Sequence, residues 1–181
     1  MREISLHIID IAENGIAAGA DLIKIKISES GLKNLLEITV SDNGKGIPPE
    51  LINRVTDPFF TTRTTRRVGL GLSLFKEAAK RCSGEFNITS REGKGAEVSA
   101  SFALDHIDLA PIGDLAGSIM CLIMGNPGVD FVYTHEYNRR SFTIDTRDLR
   151  KELDGVPINR PEVLRYIEDV IKESGRALKE G

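Results

Sequence analysis

The chain has 181 residues, 40% of them apolar and 28% charged, enough to bury a real core in one domain with an appendage. No apolar run approaches the roughly 18 residues that a membrane-spanning helix needs. A net charge of −3 argues against a generic nucleic-acid binder, and Cys82 and Cys121 are too few for a disulfide framework or thiolate metal site, so a cytoplasmic setting is expected. The opening MREISLHIIDIAENG carries acids inside its apolar stretch and lacks a small-residue cleavage site, so it does not read as a signal peptide.

Arg2 to Ala18 is predicted as an amphipathic helix, with Ile4, Ile8, Ile11 and Ala12 on one face and Glu3, His7, Asp10 and Asn14 on another. Ile23 to Ile27 alternates strictly and reads as a half-buried strand. A second alternation runs through Leu36, Ile38 and Val40 to Asp42, which puts a carboxylate on the core-facing side of its strand. Burying it without a partner would cost several kcal/mol, in order of magnitude. Gly44-Lys45-Gly46 then turns the chain, and Ile47-Pro48-Pro49 opens a short helix ending near Val55. Beyond a basic, threonine-rich stretch, Gly69-Leu70-Gly71-Leu72 leads into a helix that runs to Cys82, with Gly84 as its C-cap. Strands follow at Glu85 to Ser90 and Ala96 to Leu104, with Gly93 and Gly95 turning between them. The expected fold class is α+β, a sandwich with helices on one face of a mixed, mostly antiparallel sheet.

The seam at residues 105–108 has no Gly, Ser or Pro enrichment, so the parts on either side of it are expected to pack together. Ile112 to Met124 reads as a helix apolar on most sides, ended by Gly125. Phe131, Tyr133, His135 and Tyr137 alternate ahead of a turn at Asn138-Arg139-Arg140, an aromatic hairpin that returns through Asp145. Asn159 as cap and Pro161 as first residue open a last helix aligned on Val163, Ile167, Val170 and Ile171. The organisation expected is a domain at 1–104 and a small α+β extension at 105–181. The extension either completes the fold, the favoured reading, or offers a face to a partner or to a second copy. Arg139, Arg140 and the nearby tyrosines form too small a patch to argue for nucleic acid.

The motifs are individually weak. Asp10 and Asn14 stand i, i+4 on one helical face, where a carboxylate can take a proton and an amide oxygen can ligate Mg2+. Alone, the pair reads as an ordinary solvated face. Asn43-Gly44 is a hairpin signal, but Ile47-Pro48-Pro49 cannot continue as a central strand. The alternative is that Asp42 accepts a hydrogen bond from an exocyclic amine while glycines let the backbone approach a flat base. Gly69-Leu70-Gly71-Leu72 offers the N–H groups of a helix start to phosphate. Neither the Rossmann nor the Walker pattern is present. Thr61 to Arg67 holds hydroxyls and arginines with no apolar residue: a solvated loop, or a lid whose guanidiniums meet phosphate at about 1.5–3 kcal/mol per contact.

In order, Asp-x-x-x-Asn on a first helix, DNGKGI, DPFFTTR, GLGL and GKGA before a last strand resemble the Bergerat ATP-binding fold of gyrase, Hsp90, histidine kinases and MutL. The stretch Glu13 to Ala20 resembles the mismatch-repair version of the first motif, and Asp57 to Thr62 the phenylalanine box of histidine kinases. The resemblance covers about residues 4–104. It implies that ATP and Mg2+ are the ligands, that Asn14 holds Mg2+, and that Asp42 reads the adenine amine. It also implies that Gly44, Gly46 and Ile47 shape the base pocket, that Gly69, Leu70, Gly71 and Leu72 wrap the triphosphate, and that Thr62 and Arg63 begin the lid. Asp10 stands where gyrase-like members carry a glutamate base, one methylene shorter. Ala17 replaces a phosphate-binding lysine frequent in kinases, and Ala96 a threonine that helps to hold adenine.

Only six residues precede His7, so no phosphoacceptor hairpin is expected upstream, and His7 reads as a pocket-lining or rim residue. The whole chain is similar to stand-alone ATP-binding proteins of anaerobic bacteria associated with iron-hydrogenase subunits. Two functions are therefore open. One is an ATPase or protein kinase acting on a partner, as in the anti-sigma-factor branch. The other is a non-catalytic nucleotide-sensing switch that regulates a partner, with ATP and ADP as its signals and a homodimer as one assembly.

Overall fold

The computed structural model describes residues 3–57 and 70–180. In chain order the elements are α1 (Ile4–Ala17), β1 (Leu22–Ser30), β2 (Leu35–Asp42), α2 (Pro49–Ile52), α3 (Leu70–Arg81), β3 (Phe86–Arg91) and β4 (Gly95–Ala103). They continue with α4 (Leu115–Gly125), β5 (Asp130–Tyr137), β6 (Arg140–Asp145), α5 (Thr146–Glu152) and α6 (Pro161–Glu180). The strands form one six-stranded sheet in the order β3-β4-β2-β1-β5-β6. Every pairing is antiparallel except β1 with β5, which run parallel from Leu22↔Asp130 to Glu29↔Tyr137.

The period-2 alternation decides which face is covered. Ile23, Ile25, Ile27, Leu36, Ile38, Val40, Val98, Ala100, Phe102, Phe131 and Tyr133 are all buried on one side. Their neighbours Lys24, Lys26, Glu37 and Glu97 point to solvent on the other. The helices lie on the apolar side in the order α3-α1-α4-α6, each packed on the next. Each large aliphatic side chain removed from water on this face contributes about 1.5–3 kcal/mol, so the alternation itself specifies the register. This is an α+β sandwich, with helices on one face of a mixed, mostly antiparallel sheet.

Residues beyond 104 are built into the same sheet. The first N–H groups of α1 are capped from there, Ile4 N donating to Pro111 O (3.0 Å) and Ser5 N to Ile112 O (2.8 Å). α4 begins three residues later than its apolar pattern suggests, because the Asp114 carboxylate caps it by accepting from Gly117 N (2.9 Å). Asp145 does the same for α5, which carries no long apolar period and was not expected. The last helix is opened by the Arg160 carbonyl, which accepts from Leu164 N (2.9 Å), rather than by Asn159. At the end of α3 the left-handed residue is Ser83 (φ 56°), not Gly84. Gly84 N bonds Ala79 O (2.9 Å) and Ser83 N bonds Lys80 O (3.2 Å), a Schellman arrangement. Glycine is required at 84 because a Cβ there would overlap the carbonyl oxygen of Ser101.

Under the C-terminal end of α6 lies a buried polar chain. The Tyr133 hydroxyl and His135 Nδ1 are hydrogen-bonded at 3.1 Å, and His135 Nε2 donates to Glu29 Oε1 at 2.8 Å. Lys179 Nζ donates to the other Glu29 oxygen at 3.0 Å. Burial pushes the Glu29 carboxyl up, and the hydrogen bonds from His135 and Lys179 outweigh it, so its pKa is lowered on balance. Burial, followed by the Glu29 charge, pushes the Tyr133 phenol up. His135 is thus a structural histidine that bridges β5 to β1.

Candidate functional site

α1 brings Asp10 and Asn14 to one half-buried face, one turn apart. In the same turn as Asn14 is Gly15, which packs on the end of β2. A Cβ on Gly15 would stand 2.7 Å from Asp42 Cβ and 2.9 Å from Ile23 Cδ1. Asp42, half-buried at the end of β2, turns its side chain toward α1, as its parity with Val40 requires. Its Oδ1 accepts from Gly44 N at 2.8 Å, and among the described residues Oδ2 makes no hydrogen bond. A fixed carboxylate with one oxygen to spare suits recognition of an N–H donor.

The Asp42 loop is held from two sides. Asn43 is not part of a tight hairpin, since the left-handed residue is Gly46 (φ 72°) and not Asn43 or Gly44. Instead the Asn43 side chain fastens the start of β1, accepting from Asp21 N (3.1 Å) and Leu22 N (3.0 Å). Lys45 N donates to Ala18 O (3.0 Å), and Gly93 N donates to Lys45 O (2.7 Å). Ser90 Oγ accepts from Ile47 N (2.8 Å) and donates to Gly95 O (2.8 Å). Gly46 lies against the Arg91 carbonyl and Gly95 (φ 91°) against the Asp42 carbonyl, where a Cβ on either would overlap it. Ser90 and Gly95 thus support the loop that follows Asp42. Sequence reasoning missed both roles; the GKGA turn signalled Gly95, whereas nothing local signalled Ser90.

α3 closes the site. Its first turn carries Leu70, 45% exposed, and the half-buried Gly71 and Leu72. A Cβ on Gly71 would lie 3.2 Å from the Asp10 carboxylate, so the α3 N-terminus and Asp10 are immediate neighbours. Lys76 of α3 donates to Thr56 Oγ1 at 3.3 Å, tying the helix to the segment after α2. Thr62, Arg63 and Gly69 lie outside the described residues. Asp10, Asn14, Asp42, Gly44, Gly46, Ile47, Leu70, Gly71 and Leu72 fall on α1, the end of β2 with the loop after it, and the start of α3, with Gly44 and Gly46 buried within that loop. A shallow cleft of about 360 Å³ adjoins this region and shares Asp42, Ser90 and Gly95 with it; Ser41, Thr89, Arg91, Lys94, Ala96 and Glu97 complete its lining.

His7 is neither a rim residue nor a solvated one. It is 3% exposed in the seam between α1 and α3, with its ring 5.1 Å from that of Phe75. Burial lowers its pKa from 6.5 to about 4, so the ring is neutral at physiological pH. Among the described residues no helix is long and apolar enough to cross a membrane.

Comparison with known proteins bears on the family and the fold. A family model described as "Histidine kinase-, DNA gyrase B-, and HSP90-like ATPase" matches residues 1–106. A putative sensor histidine kinase, NtrY-like, from Rickettsia conorii is 31% identical over 109 residues, covering 60% of this chain and 18% of that protein. The sensor histidine kinase ZraS of Salmonella typhimurium is 38% identical over 74 residues, 41% of this chain and 16% of that one. The chain therefore spans less than a fifth of the length of these relatives. Among solved structures, the N-terminal domain of a DNA repair protein aligns with a TM-score of 0.60 at 16% identity, covering 80% of this chain and 52% of that one. The Aquifex aeolicus MutL ATPase domain complexed with ADP aligns with a TM-score of 0.54 at 16% identity, covering 85% and 68%. The fold likeness thus extends past residue 106 into the strands and helices that follow. By its sequence over residues 1–106 and by its fold, the chain belongs to the histidine kinase-, DNA gyrase B- and HSP90-like ATPase family.

Proposed function

We propose that this chain binds Mg-ATP where α1, the Asp42 loop and the first turn of α3 meet, and that it hydrolyses the nucleotide or transfers its terminal phosphoryl group to a partner protein. The observation that supports this reading is the pair of glycine contacts: Gly15 of α1 packs on Asp42, and Gly71 in the first turn of α3 packs on Asp10 of α1, so both carboxylates adjoin these elements. Asp42, with Oδ1 fixed by Gly44 N, presents Oδ2 to the adenine amine. Gly71 and Leu72 offer the first free N–H groups of a 12-residue helix to phosphate oxygens.

Asn14 supplies a hard amide oxygen on the same face as Asp10, which fits Mg2+, an ion that keeps most of its waters and takes phosphate oxygens as ligands. When bound, that ion neutralises charge on the β- and γ-phosphates. Asp10 accepts the proton of the attacking water or hydroxyl. The shorter reach of Asp10 and the alanine at position 17 favour a second reading, a switch that binds nucleotide with little turnover.

The test uses γ-labelled ATP with Mg2+ and follows both free phosphate and protein-bound label, with and without cell extract. Asp10→Asn is expected to lower turnover or transfer by about 10²–10⁴-fold while nucleotide still binds. Asp42→Asn is expected to weaken binding itself. Turnover unchanged in Asp10→Asn refutes the assigned base. Tight binding without turnover or label selects the switch.

A further inference from the structure

One buried polar group stands outside the roles just assigned. Among the described residues, Nδ1 of His7 has no hydrogen-bond partner. The ring is packed in the core, tilted against Phe75, which in turn meets Phe86 and Phe102 edge-on and tilted. An unpaired buried donor or acceptor is destabilising. A phenylalanine of nearly the same shape would remove that penalty, so the nitrogen calls for an account of its own.

Its position supplies one. His7 precedes Asp10 by three residues on α1, and Phe75 follows Gly71 by four on α3. The contacts His7–Phe75 and Asp10–Gly71 are therefore successive rungs of one antiparallel helix seam. Whatever sets the spacing at the first rung sets how closely the α3 N-terminus approaches Asp10 at the second.

We propose that His7 is a positioning residue for the nucleotide site: the α1–α3 seam has a second arrangement, adopted with nucleotide bound, in which Nδ1 gains a hydrogen-bond partner. The inference rests on the Mg-ATP reading above. A group unpaired in one state and paired in the other biases the equilibrium toward the paired state, and a ligand that selects that state gains the difference. The neutral ring contributes a bare nitrogen and an N–H rather than a charge, so the coupling works by hydrogen bonding and not by repulsion.

The experiment uses the full chain, Mg-ADP as ligand, and three variants. His7→Phe keeps the shape and removes both nitrogens, His7→Asn places a polar atom near Nδ1, and His7→Gln places one near Nε2. His7→Phe is expected to raise Tm without nucleotide by about 2–4 °C and to weaken Mg-ADP binding about two- to tenfold. His7→Asn restores the affinity and His7→Gln does not. In the native protein carrying 15N-labelled histidine, the His7 Nδ1 resonance moves on saturation with Mg-ADP. Native-like affinity in His7→Phe, or an Nδ1 resonance unmoved at saturation, overturns the proposal while leaving the nucleotide reading intact. A native protein that does not bind Mg-ADP or Mg-ATP at all overturns both.

Discussion

Gly15→Ala and Gly175→Ala are the same substitution in two helices, and the structure assigns them opposite signs. In either helix, alanine gains at most about 1 kcal/mol over glycine in propensity. At Gly175 in α6 a Cβ would meet nothing within 4 Å, so that gain stands alone. At Gly15 the new Cβ would lie 2.7 Å from Asp42 Cβ, about 1 Å inside ordinary carbon contact. β2 cannot retreat, because it is paired to β1 on one side and β4 on the other. α1 must shift, and overpacking of this kind costs about 1–3 kcal/mol. The net expectation for Gly15→Ala is a loss of about 1–2 kcal/mol, read as a Tm lowered by roughly 2–8 °C. Gly175→Ala is expected to raise Tm by about 1–4 °C. Thermal denaturation followed by circular dichroism, repeated with saturating Mg-ADP, checks both. The stabilisation by Mg-ADP should shrink in Gly15→Ala and stay native in Gly175→Ala. Should Gly15→Ala stabilise the chain as Gly175→Ala does, the close seating of α1 on Asp42 is wrong.

Acid should destabilise the chain in two windows. His7 is held at about 4 when folded and returns to 6.5 when unfolded, so between those values the unfolded chain binds the extra proton and stability falls as pH falls. Urea titrations across that range should lose this slope in His7→Phe; a slope that survives refutes the assignment. Glu29 acts in the same direction at lower pH: its lowered carboxyl pKa stabilises above 4.5, and that contribution is lost as pH falls through the folded value. Lys179→Met removes one of the Glu29 hydrogen bonds and the cation over the Tyr137 ring, 5.7 Å from its centroid. Because Lys179 is half exposed, the loss should be only about 1 kcal/mol, concentrated in the last turns of α6. Amide exchange that stays unchanged near Ala177 would show that the contact holds nothing in place.

The sheet and its covered face were legible because the strands alternate cleanly: Ile23 to Ile27, Leu36 to Asp42 and Val98 to Phe102 each commit one side to the core. The ordered motifs mark the candidate site for the same local reason, since glycine spacing and a carboxylate at a strand end leave a mark in a few residues. What escaped was set by partners distant in sequence. Nothing near Ile23 announces Phe131 as its parallel neighbour. Ser83 takes the left-handed conformation while Gly84 is demanded by the Ser101 carbonyl, so the glycine was noticed for the wrong reason. α5 is only seven residues long and is specified by its cap, Asp145, rather than by a period. His7 shared a helical face with Asp10, which suggested the pocket rim, but α3 closes over it.

The parallel pairing of β1 with β5 has a consequence for biosynthesis. β1 is the first strand after α1, yet its parallel partner begins at Asp130, 108 positions after Leu22. A chain emerging from the ribosome can complete β2, β3 and β4 while one whole edge of β1 stays open. The 34 residues from Leu104 through Tyr137 take roughly 2–7 s to add at 5–20 residues per second. During that interval the exposed edge is a template for pairing with another nascent chain. Lys24 and Lys26, which end on the solvent face of the finished sheet, stand along that strand from the outset. Their charges guard the growing polypeptide against its own copies until the aromatic hairpin arrives.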